Sequence, residues 1–426
     1  MQCHRYEVLG ETVYEETLEN GLRVYVFAKP EFGKCYAFFA TRYGGMDTRF
    51  RLDGQWLDTP MGIAHYLEHK MFDTPDGGNA LQELSARGAS PNAFTGAAMT
   101  GYHFSCTEGS WENLRTLLTF VSVPYYTEES VQKEQGIIGQ EIGMIEDDPS
   151  WQSYHLLMQG LYAAHPVRNS VAGTVESISH ITAQTLYDCH RAFYTPSNMV
   201  LCVAGDVDPE RVCALAREIL PQEERPPIER DHGESEPTEA AVPLTERTMA
   251  VAAPLFRLGI KVRPETDPAA QLRQRLLGDL ACEALMGSSS PLYRRLYEQG
   301  LVNAGYFCGY GDYPGCGFLI AGGESRDPAA VRDAILAEAA RVAVEGLDEG
   351  LFQRLKKAAY GASVRAMNSF ETLCINQAES YFCGQEPWTF PAVYAGLSRA
   401  DAEAFLRTWL RPEQLALVVI RPEGQA

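Results

Sequence analysis

The sequence predicts an α+β protein built from two homologous α/β-roll domains, each a mixed, mainly antiparallel sheet with helices packed on one face. Three observations lead there. The chain has 426 residues, more than a single compact core organises. Stretches with strand and helix patterning are mixed rather than strictly alternating, which disfavours a doubly wound parallel sheet. The ending of the first half also recurs at the end of the second. Ile181-Thr182 matches Leu397-Ser398, Phe193 matches Trp409, and Pro196 matches Pro412. The apolar run Met199-Val-Leu-Cys-Val-Ala matches Leu415-Ala-Leu-Val-Val-Ile.

Taken in order, Gly21-Leu-Arg-Val-Tyr-Val-Phe27 and Cys35 to Tyr43 read as two strands. Pro30 and Gly33 between them predict a hairpin. Ile63, Tyr66 and Leu67 continue an apolar helical face, with Thr59 as the cap and Pro60 suited to the first helical position. Pro75-Asp-Gly-Gly marks a turn before a short helix over 80–86, and Ser90 to Gly96 and Thr100 to Cys106 read as a second strand pair. Leu84-Ser-Ala-Arg-Gly88 has a counterpart in Leu296-Tyr-Glu-Gln-Gly300, which extends the duplication. Residues 221–245 alternate Pro221, Pro226, Pro227, Pro237 and Pro243 with Glu223, Glu224, Glu229, Glu234, Glu236 and Glu239, the composition of a linker. The expected division is an N-terminal domain over 1–220, this linker, and a C-terminal domain over 246–426.

Chemistry concentrates in His65-Tyr-Leu-Glu68-His69. On a helix His65 and His69 lie one turn apart on one face, where two imidazoles can grip one metal ion. Glu68 beside them is placed to take a proton from a water, which is hydrolytic chemistry. In 128–147, Glu134, Ile138, Glu141 and Ile145 fall on one helical face. Glu141, bracketed by Ile137, Ile138 and Ile145, needs a partner to offset desolvation: an Arg or Lys, or the metal held by His65 and His69. Gly136, Gly139 and Gly143 each cost up to about 1 kcal/mol in a helix interior, which points to close packing of another backbone there.

The 45% hydrophobic and 22% charged fractions are those of a globular protein. The amino terminus lacks an apolar signal core and no run approaches the length of a membrane span, so the expected location is the cytoplasm. Eleven scattered cysteines without a C-x-x-C pair fit reduced, mostly buried thiols. A net charge of −20 argues against a nucleic-acid partner and leaves room for an acidic cavity that prefers basic peptides. Gly309-Tyr-Gly311-Asp-Tyr-Pro-Gly315 lacks the spacing of a phosphate loop and reads as a hairpin turn. Gly287-Ser-Ser-Ser-Pro291 reads as a loop and helix cap, since no nucleophile elbow surrounds it.

Ala64-His65-Tyr-Leu-Glu68-His69-Lys-Met-Phe, Gly88-Ala-Ser-Pro-Asn92-Ala93-Phe94-Thr95, Lys133-Glu134-Gln-Gly-Ile-Ile-Gly-Gln-Glu141, Val171-Ala-Gly-Thr-Val-Glu-Ser-Ile-Ser and Tyr194-Thr-Pro-Ser-Asn-Met occur in this order. Together they resemble the pitrilysin/insulinase family of zinc peptidases, the inverzincins, which includes the mitochondrial processing peptidase subunits and short bacterial relatives. The resemblance implies that His65, His69 and Glu141 ligate Zn2+. It implies catalytic roles for Glu68, the general base, and for Glu134, a supporting carboxylate behind the ligands. His155, beyond the helix break at Pro149, is not expected to be a ligand. Asn92, Ala93 and Phe94 resemble the family's edge strand, which pairs with the substrate backbone.

The family also carries an arginine and a tyrosine in the second half that contact the substrate carbonyl. Arg295 matches the arginine, but Asn303 stands at the tyrosine position, with Tyr306 three residues on as a candidate replacement. The resemblance therefore implies a zinc metalloendopeptidase that hydrolyses peptides or unfolded segments in a closed chamber. It would be the catalytic subunit of a heterodimer whose homologous partner lacks the zinc motif, a homodimer being the lesser expectation. The competing expectation is a non-catalytic scaffold subunit of the same fold.

Overall fold

The computed structural model describes residues 1–223, 225–233 and 235–424, so Glu224 and Glu234 of the proline- and glutamate-rich stretch lie outside the described residues. The chain forms two compact units. The first comprises Met1–Ile142, Ser170–His232 and Val364–Gly384, and the second comprises Gly143–Asn169, Gly233–Ser363 and Gln385–Ala426. A single boundary between 220 and 246 therefore does not describe compactness. Segments 143–169 and 364–384 each belong with the half that their sequence position does not suggest.

The first unit contains strands β1 (Gln2–Tyr6), β2 (Glu11–Thr17), β3 (Arg23–Ala28) and β4 (Cys35–Thr41), the small ribbon β5 (Arg49–Leu52) and β6 (Gln55–Asp58), and β7 (Ser90–Thr95), β8 (Thr100–Cys106) and β9 (Met199–Gly205). Its sheet runs β1-β2-β3-β9-β4-β8-β7. The hairpin expected between β3 and β4 does not form, because β9 lies between them, parallel to β3 and antiparallel to β4. Every residue of β4 and β9 is buried. A strand that is apolar on both faces is stable only with neighbours on both sides, which places β9 in the middle. The expected pairing of β7 with β8 does form, and leaves β7 as the outer strand. The helix Phe370–Phe382 lays buried Leu373, Cys374 and Ala378 on β9 and β4, which is why 364–384 belongs here.

The helices of this unit that matter to the site are α1 (Ile63–Lys70), α2 (Ala80–Ala86) and α3 (Ser110–Ser122); α4 (Glu128–Asp147) begins in it, and α5 (Pro149–Leu161) belongs to the second unit. The expected cap of α1 is corrected. Thr59 donates to Thr48 O (3.0 Å), and the helix starts after Gly62, whose φ is 90°. A Cβ at Gly62 would stand 2.5 Å from Ala172 O, so glycine satisfies both the close approach and the left-handed backbone. The glycines of α4 are a second correction: a Cβ at Gly136, Gly139 or Gly143 would meet nothing within 4 Å, so no neighbouring backbone requires them.

The second unit is a sheet of β10 (Leu244–Met249), β11 (Leu255–Val262), β12 (Phe307–Tyr313), β13 (Cys316–Glu324) and β14 (Leu415–Pro422), ordered β10-β14-β11-β13-β12. β10 runs parallel to β14, and every other pair is antiparallel. The order β3-β9-β4-β8-β7 of the first sheet is thus repeated strand for strand, the duplication that the matched endings of the two halves predict. The helices α2 and Pro291–Glu298, also expected to correspond, are followed by left-handed glycines, Gly88 at φ 78° and Gly300 at φ 63°. Gly315 turns the β12–β13 hairpin at φ 83°, and Ser290 accepts from Tyr293 N (3.1 Å) as the cap of Pro291–Glu298.

Part of the proline-rich stretch is docked. In the first unit Arg51 N donates to Glu229 O (2.9 Å) and Asp231 N to Arg49 O (3.0 Å). In the second, Glu236 accepts from Lys261 Nζ (2.8 Å) and from the backbone N–H groups of Ala163, Ala164 and His165. Among the described residues no helix is long and apolar enough to cross a membrane.

Candidate metal centre

The site lies in the first unit, where α1 faces α4 and β7. The Tyr66 hydroxyl donates to Val131 O and ties α1 to the start of α4. That contact brings the helical face of Glu134 and Glu141 against the histidines. His65 Nε2 lies 3.4 Å from Glu141 Oε1, and His69 Nε2 lies 3.3 Å from Glu141 Oε2. One donor atom from each of these three side chains falls within 4.8 Å of the others, and among the described residues this is the only such group of three. Two imidazole nitrogens and one carboxylate form a donor set suited to a small divalent cation. The sequence left Glu141 between a cationic partner and the metal; its partners here are the two histidines.

Glu134 stands behind His69. Its Oε1 is 3.2 Å from His69 Nδ1, and its Oε2 is 3.8 Å from Lys70 Nζ. An ionised carboxylate only accepts, so the Nδ1 of His69 carries a proton toward Glu134, which leaves Nε2, on the Glu141 side, as the nitrogen whose lone pair a metal ion could take. Burial alone would raise the Glu134 carboxyl, but His69 and Lys70 outweigh it and hold the group below its ordinary value. Lys70, 2% exposed, also reaches Asp73 and Ser130 O (3.3 Å). Glu141 is held low chiefly by His65. Burial opposes the charged form of His69, yet Glu134, Glu68 and Glu141 together raise its pKa. His65 Nδ1 is buried without a partner among the described residues.

Glu68 is 8% exposed, and burial pushes its carboxyl upward. Its Oε2 accepts from Thr95 Oγ1 at 2.6 Å. Asn92, Ala93 and Phe94 lie on β7, opposite His103, Tyr102 and Gly101 of β8. Phe94 stacks on Phe38, with ring centroids 5.8 Å apart. His155, half-buried on α5, pairs with Gln159 and is outside the cluster.

The residues expected to bind substrate from the second half are engaged elsewhere. The guanidinium of Arg295 is bonded to Glu338, a carboxylate that Arg341 also holds (2.7 Å). Asn303 donates to Glu324 (2.9 Å) and accepts from Gly305 N (2.8 Å), which is a turn role. The Tyr306 hydroxyl is buried in the core of the second unit, unpartnered among the described residues, so it is no replacement at the surface. Sequence reasoning missed Thr95 and Lys70 as parts of the centre. Lys70 carried the one available signal, a cation directly after the second histidine.

The insulinase family (peptidase family M16) matches residues 55–175, and the peptidase M16 inactive domain matches residues 180–359. The "uncharacterized zinc protease YmfH" of Bacillus subtilis (strain 168) is 38% identical over 98% of this chain and 99% of its own length. The crystal structure of an M16-like peptidase from Alicyclobacillus acidocaldarius is 33% identical, with a TM-score of 0.92 over 96% of this chain and 98% of that one. A protease from Helicobacter pylori, 18% identical over 97% of this chain and 100% of that one, shares the fold with a TM-score of 0.83.

Proposed function

Because this chain belongs to the insulinase family, peptidase family M16, we propose that it is a zinc-dependent endopeptidase with His65, His69 and Glu141 as ligands and Glu68 as general base. The observation that carries this reading is the convergence of both Nε2 atoms on the two oxygens of Glu141, with buried Glu68 on the same helix. A two-histidine, one-carboxylate set is one that catalytic zinc uses. When bound, zinc supplies Lewis-acid polarisation of the scissile carbonyl and of a water.

The chain's own residues do the rest. Glu68 takes the proton of the attacking water and returns it to the leaving amine nitrogen. Glu134 holds His69 in the tautomer that offers Nε2. The outer strand β7 receives an extended peptide by strand addition through Asn92, Ala93 and Phe94, which favours backbone recognition over side-chain sequence.

The finer reading is a catalytic subunit that works with a homologous chain lacking the metal motif. It is supported by Arg295 being tied to Glu338 and by Asn303 filling a turn where the family has a tyrosine. The test is zinc content together with cleavage of an unstructured peptide, for this chain alone and mixed with such a homologue. Bound zinc with weak cleavage alone and strong cleavage in the mixture is expected. Full activity of the isolated chain would remove the partner from the proposal, and a zinc-loaded chain inert in both settings would leave the scaffold role.

A further inference from the structure

We infer that Thr95 is a positioning residue for Glu68, fixing which carboxylate oxygen acts as the base and tying that base to the strand that receives the substrate. The inference rests on the peptidase reading and goes beyond its ligand and base assignments.

The Thr95 hydroxyl has one hydrogen, and at 2.6 Å from Glu68 Oε2 that hydrogen is committed to the carboxylate, within the range of a charge-assisted O–H···O⁻ bond. Among the described residues Thr95 is the only hydrogen-bond partner of the Glu68 carboxylate. A glutamate has three rotatable side-chain bonds, and without this contact its head group would sample several rotamers. With one lone pair of Oε2 taken by this donor, Oε1 is the oxygen that keeps both of its lone-pair sites open to a proton. The threonine is itself braced from behind. Fully buried Thr100 shares its hydroxyl hydrogen between Tyr43 O (2.9 Å) and Thr95 Oγ1 (3.3 Å), so Thr95 accepts from Thr100 while it donates to Glu68.

Position in the chain adds a second consequence. Thr95 is the last residue of β7, two residues beyond Ala93, and pairs with Thr100 where β8 begins. A peptide seated along β7 and the base held by Thr95 are therefore registered by one rigid strand. The proximity of base and substrate does not depend on a separate loop.

The experiment uses the full chain, with its homologous partner if cleavage requires one, and an unstructured fluorogenic peptide that the wild type cleaves. Thr95→Val keeps the volume and removes the hydroxyl, whereas Thr95→Ser keeps the hydroxyl. Thr95→Val should lower kcat by about tenfold to a hundredfold, with KM and zinc per chain unchanged, and Thr95→Ser should stay within about threefold of wild type. Three results would overturn the assignment: wild-type kcat in Thr95→Val, equal losses in both variants, or a loss confined to KM or accompanied by loss of zinc. A wild type that binds zinc but cleaves no peptide in either setting overturns the peptidase reading itself, and this assignment with it.

Discussion

Lys70 Nζ lies 3.8 Å from Glu134 Oε2 in a pocket where the lysine is only 2% exposed. A buried ammonium persists only where charge and hydrogen bonds compensate it, and Glu134, Asp73 and Ser130 O do so here. Through Glu134 the charge acts on His69. Lys70→Met should therefore weaken zinc affinity by about tenfold to a hundredfold without unfolding the chain, as measured by competition with a chelator. Unchanged affinity would show that Glu134 orients His69 without its cation.

The roles of Glu68 and Glu141 separate by two measurements on the same samples. Glu68→Gln should retain zinc and lose about 10²–10⁴-fold in kcat, since an amide cannot accept the proton. Glu141→Gln should lose the metal, because a neutral oxygen replaces the one anionic donor. Peptide cleavage at the native rate by Glu68→Gln would refute the proposed base.

Acid stability of the second unit should depend on Glu236. Burial alone would raise its carboxyl, but Lys261 and the N–H groups of Ala163, Ala164 and His165 pull it down to about 2, from an ordinary 4.5. A carboxyl lowered on folding stabilises above its unfolded value and loses that contribution as pH falls through its folded one. Above pH 5, Glu236→Gln should cost roughly 2–3 kcal/mol, below the range for a fully buried pair because the Glu236 side chain stays 13% exposed. Melting curves of wild type and variant should converge between pH 4.5 and about 2. A constant gap across that window would contradict the assignment.

Ala378, fully buried on the helix Phe370–Phe382, offers a long-range test. Ala378→Asp places a carboxylate against β9 and β4 with no partner, a cost of several kcal/mol. Zinc content and the melting of the first unit should both collapse, although the substitution lies far along the chain from His65. Wild-type zinc content would show that this helix is dispensable to the site.

What sequence made legible follows from the range of the interactions involved. His65, Glu68 and His69 were visible because helical spacing alone sets them on one face, and Glu141 because it shares the period of Glu134 and Ile138. The duplication was visible because matched residues keep constant separation. Other features depend on distant residues. β9 enters between β3 and β4 from far along the chain, and no local pattern in Gly21 to Tyr43 announces it. The glycines of α4 suggest packing sites by their cost in a helix, whereas Gly136 and Gly139 face open space and Ile137 is 50% exposed. Thr95 joins Glu68 across two elements, and Arg295 joins Glu338 across two helices. Neither contact has a periodic signature.

The threading of the two units has a practical consequence. The chain passes from one to the other after Ile142, Asn169, His232, Ser363 and Gly384. No single cut yields either unit whole: a fragment ending at residue 232 carries every proposed zinc ligand but lacks the helix that covers the apolar faces of β4 and β9. During synthesis the metal-binding half stays unfinished until the ribosome has passed Gly384. The half that carries the candidate metal centre and the half without a metal motif are therefore interleaved in one chain and cannot be separated by a single cleavage.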